Sequence, residues 1–431
     1  MISDTYSSSL NQLAGFGLFL LSKINFTNFL LFYTFICGIF FYPTLQDTIP
    51  TVGTIIFYLR YLFAFLLLLG LLLHIIIFKN FHLYFDQYVI ISVLYLISAL
   101  ISILNNFSHS YNKIAFNEIQ YTMFSFLVYI VFIQTLQSKH IARIMKVLIL
   151  YAVINVIVSF IQLKLNWQDR TVSNISSLFA DRNMFTRFLV TVNSYLLIKT
   201  FSQGNNGFLN NKKAMIMLMT LIFICITLMY SRGGYVLYII ATTIIIWHTK
   251  NKHIQRMSTI LGIFVIILFS IMIYQRIKKD YMNIKNNSDL SRMSAFQAGI
   301  NMIKDKPLTG VGYGMSKQKF TKYENKSFPG TVAMTTIHNI YITIFAEQGI
   351  FGLLLYLLFN FGLLIALFKK ISQANGISDI QNELFCFTSL FLYMIHGIVY
   401  HTFDSEGYYW IIIALCIITL KEYNQKDLGR F

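Results

Sequence analysis

"TTIHNIYITIFAEQGIFGLLLYLLFNFGLLIALFKK", residues 335–370, decides how the rest of the chain is read. From Asn339 to Phe368 it is apolar for longer than the roughly 20 residues that cross about 30 Å of hydrocarbon as a helix, so it reads as a membrane span. Lys369 and Lys370 close it at one end, His338 and Asn339 open it at the other, and Glu347 interrupts the apolar run. A titratable group at such a place is expensive and marks a functional site by default. Helical spacing predicts His338, Tyr341, Ile342 and Phe345 on one stripe, with Gly349 and Gly352 as a small-residue strip for close packing. Nine residues of helix separate Glu347 from His338, roughly 13 Å along the axis and beyond direct contact. Two roles stay open for Glu347: orienting His338 from a neighbouring helix, or marking a wet cavity.

The whole chain has the same character. Of its 431 residues, 56% are hydrophobic and 12% charged, with four prolines and a mean hydropathy of +0.62. No soluble domain has that composition. Further apolar runs near 26–45, 54–78, 87–104, 118–137, 147–165, 184–201, 214–230, 234–248, 258–274, 383–399 and 409–420 predict twelve transmembrane helices in all, an all-α polytopic membrane protein. The alternating pattern of an outer-membrane barrel is absent. The first residues, "MISDTYSSSLNQLAGFGLFLLSK", lack a basic n-region and a cleavage site and read as retained.

Lys and Arg in short loops stay cytoplasmic. Lys79, then Lys139 with Arg143 and Lys146, Lys212 with Lys213, Lys250 with Lys252 and Arg256, Lys369 with Lys370, and Lys421 with Lys426 and Arg430 fall on alternate loops, which places both termini in the cytoplasm. Residues 275–337 are basic and external, but long loops are exempt from that rule. This loop holds a helix-like stretch, "LSRMSAFQAGINMI" (290–303), and a Gly/Pro cluster, "KDKPLTGVGYG" (304–314), so it reads as a folded external domain. The expected division is 1–274 as an N-terminal bundle, 275–337 as the external loop domain and 338–431 as three C-terminal spans. Cys37, Cys225, Cys386 and Cys416 lie in apolar runs and imply neither disulfide nor metal. A formal net charge of +17 is scattered over loops, which points to anionic lipid headgroups or a phosphorylated lipid substrate, with no nucleic acid.

Several cations sit where burial is costly. In "LFADRNMFTR" (178–187), a helix starting near Asn183 buries Arg187 about one turn inside, facing the bundle or a wet cavity. Arg182 and Arg187 then form either a structural pair with a carboxylate such as Asp181, or an anion site beside helix N–H groups. In "MYSRGGYV" (229–236), Gly233 and Gly234 are expected to reverse the chain in a tight external turn. That turn does not need Arg232, which either snorkels or stands as a fixed cation in the cavity. Arg60 can snorkel, bind a lipid phosphate or pair with Asp47. Arg182, Arg187, Arg232, Arg292 and His338 can all lie on the outer side. Arginines beside a histidine suit glycosyl transfer from a lipid-linked sugar: preorganised guanidiniums stabilise a pyrophosphate leaving group, and an imidazole can take the acceptor proton.

At these residues the chain resembles the O-antigen polymerase and O-antigen ligase superfamily of bacterial membrane glycosyltransferases. "FADRNMF" (179–185), "SRGG" (231–234), "RMSAFQAGINMIKDKPLTGVGYG" (292–314) and "HNIYITIFAEQGIFGLLL" (338–355) stand in the family's order. The resemblance implies a GT-C-like enzyme of the inner membrane, its active site facing the periplasm under a large external loop. It implies no metal or nucleotide cofactor, an undecaprenyl-pyrophosphate-linked oligosaccharide as substrate, and a chain-length regulator protein as a possible partner. By matching positions, Arg232 and Arg292 hold the pyrophosphate and His338 acts on the acceptor, with Arg182, Asn183, Arg187, Arg60, Asn339 and Tyr313 as the wider substrate-binding set. Many members have Pro-Asn where this chain has Arg182-Asn183, which makes Arg182 a local departure. A polymerase is the expected activity and a ligase the alternative. A flippase, the reading from another class, predicts polar residues near mid-membrane on paired broken helices.

Overall fold

Apolar runs preceded by Asp86, Asn211, Ser231 or Asn339 become helices capped by that side chain. The computed structural model describes residues 84–106, 112–165, 177, 182–202, 211–229, 231–249, 256, 288–324, 336–374, 376–400 and 407–428, which are helical with no strand. The helices are α1 (Gln87–Asn105), α2 (Asn112–Thr135), α3 (Ile141–Leu165), α4 (Arg182–Ser202), α5 (Lys212–Leu228), α6 (Arg232–Trp247), α7 (Ser288–Asp305), α8 (Ser316–Tyr323), α9 (Ile340–Gln373), α10 (Gln381–His396) and α11 (Gly407–Leu428). A 3₁₀ turn, Ser138–His140, joins α2 to α3. Asp86 accepts from the Val89 N–H at the start of α1, and Asn211 caps α5 in the same way, each satisfying an orphan donor of the first turn.

Nine of the expected spans fall on these helices; 26–45, 54–78 and 258–274 lie outside the described residues, as do Arg60 and Cys37. Gln87–Asn105, Ser138–Lys164 and Ile340–Gln373 are long and apolar enough to cross a membrane, and Arg232–Trp247 and Gly407–Lys421 are shorter apolar helices. On α9, Phe351, Leu354, Leu358, Phe361, Ile365 and Phe368 are exposed at alternating spacings of three and four. Water would not tolerate that stripe on a stable monomer, whereas lipid matches it.

Inside, α11 is buried on every side from Tyr409 to Leu420. Trp410 packs edge-on against Phe126 of α2 and beside Phe359 of α9. Helix α4 is as buried but far more polar. Arg187, Thr191, Asn193 and Ser194 are all within it, and several of its hydroxyls bond back to carbonyls one turn earlier, as Thr191 does to Arg187. Cys225, Cys386 and Cys416 are buried and unbridged.

The expected small-residue strip on α9 turns out to be a break. Gly349 has φ 71°, and a Cβ there would lie 2.1 Å from the Leu308 carbonyl oxygen. Only glycine fits a left-handed backbone pressed against another chain segment. Into this break runs the Gly/Pro loop: the Val311 N–H donates to the Ala346 carbonyl at 2.8 Å, Gly312 to Glu347 at 3.2 Å, and Ile350 to Pro307 at 2.9 Å. Gly310, at φ 69°, faces the Glu347 backbone with no room for a side chain. The Glu347 carboxylate accepts from the Gly314 N–H at 2.9 Å and the Ser316 N–H at 3.1 Å. Glu347 therefore anchors the loop and the start of α8. From α1, Ser98 donates to Gln348 and Asn106 to the Gly310 carbonyl, so one face of α1 backs the break. Lys306 donates to Asn106 and Lys319 to the Val311 carbonyl. Burial, together with Lys306 and Lys322 nearby, pushes the Lys319 ammonium down.

Candidate active site

Helix α4 begins at Arg182, and Arg187 follows one turn inside, 1% exposed, as the sequence spacing predicts. Its partner is an imidazole that sequence reading missed. The Arg187 Nη1 lies 3.0 Å from Nδ1 of His396, the last residue of α10, itself 2% exposed. The guanidinium also lies 4.3 Å from the Tyr393 ring centre and 5.2 Å from that of Tyr400, two aromatic faces that orient a cation. Tyr400 stacks on His396, centroids 5.0 Å apart and planes 10° off parallel. A histidine closing an apolar span, followed at once by Gly397, was the available signal; it repeats the pattern of His338 on another helix.

The SRGG stretch meets this pair from the other side. Gly233 and Gly234 lie inside the first turn of α6 and do not reverse the chain, which corrects the turn expected from sequence. Their smallness serves contact instead. A Cβ on Gly234 would fall 2.0 Å from Cγ2 of Thr186 on α4, and one on Gly233 would lie 3.5 Å from Nε2 of His396. Ser231 caps α6 by accepting from the Gly234 N–H at 3.2 Å, while its hydroxyl donates to Oδ1 of Asn183 at 2.9 Å. Asn183 is thus spent on joining α4 to α6. Arg232, the first residue of α6, is exposed at this junction.

His338 stands two residues before α9, so it does not share a helical stripe with Tyr341 and Phe345; the helix starts at Ile340 because Asn339 caps it, accepting from the Ile342 N–H at 3.0 Å. Asn339 also donates to the Ile398 carbonyl at 3.0 Å, and the Ile340 N–H donates to the Gly397 carbonyl at 2.8 Å. The segment bearing His338 is therefore stapled to the turn that follows His396. One end of the bundle gathers Asn183 and Arg187 from α4, Arg232 from α6, His396 from α10, and His338 with Asn339.

Arg292 lies on α7, which packs against the start of α9. Gly299 packs so closely that a Cβ would sit 2.7 Å from Ile342 and 3.0 Å from Ile337, and Arg292, seven residues earlier, is on the same helical face. Its Nε is buried and makes no hydrogen bond among the described residues. Tyr313 behaves differently from expectation. It is 4% exposed, its hydroxyl lies 2.6 Å from Thr122 Oγ1, and its ring packs against Ala99 and Ile119, so it pins the loop between α1 and α2. Among the described residues no group of three or more His, Cys, Asp or Glu gathers as metal ligands.

Residues 217–357, from α5 through α6 and α7 into α9, match the O-antigen ligase family. The match covers about a third of the chain and supports its resemblance to the O-antigen polymerase and ligase superfamily. No curated protein matches it. The O-antigen ligase family segment holds Arg232, Arg292, Tyr313, His338 and Asn339, while Asn183, Arg187 and His396 come from helices outside it and are brought in by the fold. Family and apolar helices agree on a membrane protein.

Proposed function

We propose that the chain polymerises undecaprenyl-pyrophosphate-linked oligosaccharide repeat units into O-antigen or a related surface polysaccharide, on the outer face of the bacterial inner membrane. The observation that carries this reading is the meeting, in a chain whose residues 217–357 match the O-antigen ligase family, of Arg187, the start of α6 at Arg232 and the His338 segment at one end of the bundle. In the transfer, an acceptor hydroxyl oxygen attacks the anomeric carbon as the bond from that carbon to the pyrophosphate breaks. The electron pair leaves with undecaprenyl pyrophosphate, and the hydroxyl proton passes to His338. Arg232 and Arg292, with Arg187 and Arg182 near them, stabilise the charge growing on the leaving oxygen, which a guanidinium fork does better than an ammonium.

The ligase reading is favoured by one observation, the description of the matching family, and it shares the same chemistry with lipid A-core as acceptor. Deleting the gene and resolving the surface polysaccharide on a gel separates the two. Core carrying a single repeat unit is the polymerase outcome, and core with no polymer attached is the outcome for a ligase or a flippase. Arg232→Lys is expected to lower polymer formation by about 10² or more at unchanged protein level, and His338→Ala to abolish it. Normal polymer from either variant removes the assignment.

A further inference from the structure

Helix α7 is built inside out. The face it turns to the protein is mostly small or polar: Ser291, Ser294, Ala295 and Ala298 are buried, and Gly299 lies against Ile337 and Ile342. Met302 is the large apolar exception, packed with Val311, Ile337 and Ala346. The opposite face carries the other large apolar residues, with Met293 59% and Phe296 47% exposed and Ile300 half-exposed. Steps of three and four residues put Met293, Phe296, Ile300 and the exposed Lys304 on one stripe. A helix resting on a protein in water shows the reverse, with its apolar stripe turned inward.

The neighbours of α7 set the depth of that stripe. Lys306, just past the helix, donates to Asn106 at 2.6 Å, and Asn106 closes α1, which is long and apolar enough to cross a membrane. Leu308 is exposed, and its backbone lies against the break at Gly349; two residues past the break, Phe351 begins the exposed apolar stripe of α9. Before the break, α9 turns aside instead of rising straight. The rings of Tyr341 and Tyr356 have centroids 6.2 Å apart, whereas a straight helix would separate those residues by roughly 22 Å. Helix α7 packs on the part that turns aside, through Gly299 on Ile342.

We propose that α7 lies in the surface of the lipid bilayer, in the leaflet at the histidine end of the bundle, with Met293, Phe296, Ile300 and Leu308 among phospholipid acyl chains and Lys304 at the phosphates. Hydrocarbon is the occupant because the stripe continues, through Leu308 and Phe351, the lipid-matching stripe of α9. Charge agrees with it. Lys304 stands one turn beyond Ile300 and is followed by Lys306, and a lysine stem lets the ammonium reach headgroup phosphates while its methylenes stay in the apolar layer. The loop that reads from sequence as an external domain is then seated in the membrane through α7. Arg292, on the border between the buried face and the stripe, is held near the depth of the lipid phosphates. The inference rests on the membrane reading of the helices and holds whichever transfer the protein performs.

Photo-crosslinking tests this on the full chain, reconstituted in vesicles of phosphatidylethanolamine and phosphatidylglycerol, with p-benzoylphenylalanine at position 293, 296, 300 or 322 in turn. Lys322, exposed and paired with Asp305 at 3.7 Å, supplies the hydrated reference. Phospholipid adducts, counted by mass spectrometry, are expected at 293, 296 and 300 at about tenfold or more the yield at 322, the partition that burial of one large apolar side chain supports. Equal lipid yields at all four positions overturn the proposal. Crosslinks from the stripe to a second copy of the chain also overturn it, since the stripe is then an interface between copies, and so does the absence of any adduct there. Should the bulky probe disturb α7, Phe296→Trp gives an independent reading with a near-isosteric change. The fluorescence it adds to the parent protein should be quenched by phospholipid brominated on its acyl chains and not by aqueous acrylamide; the opposite pattern places α7 in water and ends the inference.

Discussion

Glu347 shows what a single carboxylate can do inside an apolar helix. Its two oxygens take the backbone N–H groups of Gly314 and Ser316, and its own carbonyl takes that of Gly312. Charge-assisted bonds of this kind contribute roughly 1.5–3 kcal/mol each, and removing the acceptor leaves the Ser316 N–H buried without it. Glu347→Ala is expected to lower the thermal midpoint in detergent, by an amount corresponding to about 3 kcal/mol, and to expose Lys306, Lys317 and Lys319 to trypsin. Glu347→Gln should fall between, because its amide can satisfy one donor. Parent-like melting and protease resistance in the Ala variant would contradict the anchoring role. Distance along the helix already excluded contact between Glu347 and His338. Its real partners lay 31 and 33 residues away in sequence, at a separation no local pattern encodes.

Helix ends, more than helix bodies, build the site. The crossing of α4 and α6 is as close as it is because Gly234 faces Thr186. Gly234→Ala should therefore force the two apart, lowering both stability and polymer formation, and Thr186→Ala in the same chain should recover part of the loss by removing the methyl group struck first. A double variant no better than the single one would show that the contact does not set the crossing. The glycine pair illustrates why the sequence misled: two adjacent glycines between apolar runs satisfy the chemistry of a turn and of a tight helix crossing equally well. Helix existence was legible, since α1, α2, α3, α4, α5, α6, α9, α10 and α11 each lie where an apolar run predicts them. The start of α9 was legible to within a residue but not its meaning, because Asn339 as cap leaves His338 outside the helix.

At the scale of the molecule, His396, Arg187, Arg232 and the start of α9 share one end of the bundle, while Lys199 of α4 meets Gln381 of α10, and Lys370 meets the end of α11, at the other. Basic loops at that second end would be cytoplasmic under the charge rule, the orientation that the proposed function requires. Reporter fusions or cysteine labelling after Asn106, Tyr323 and Tyr400 are expected to report the outer face, and those after Lys139 and Ala374 the cytoplasm; the reverse at any of these positions would invert the proposed orientation.

What the sequence by itself determined is the solvent and the chemistry on offer. Apolar runs of spanning length require helices, because backbone groups in hydrocarbon must bond internally, and arginines or a histidine placed within such runs are too costly to be incidental. Tertiary structure alone decided the partnerships: Arg187 with His396, Asn183 with Ser231, Asn339 with Ile398, and the Gly/Pro loop with the break at Gly349. Each joins segments far apart in the chain, and such pairings depend on which helix ends meet, a property of packing that composition and periodicity do not carry.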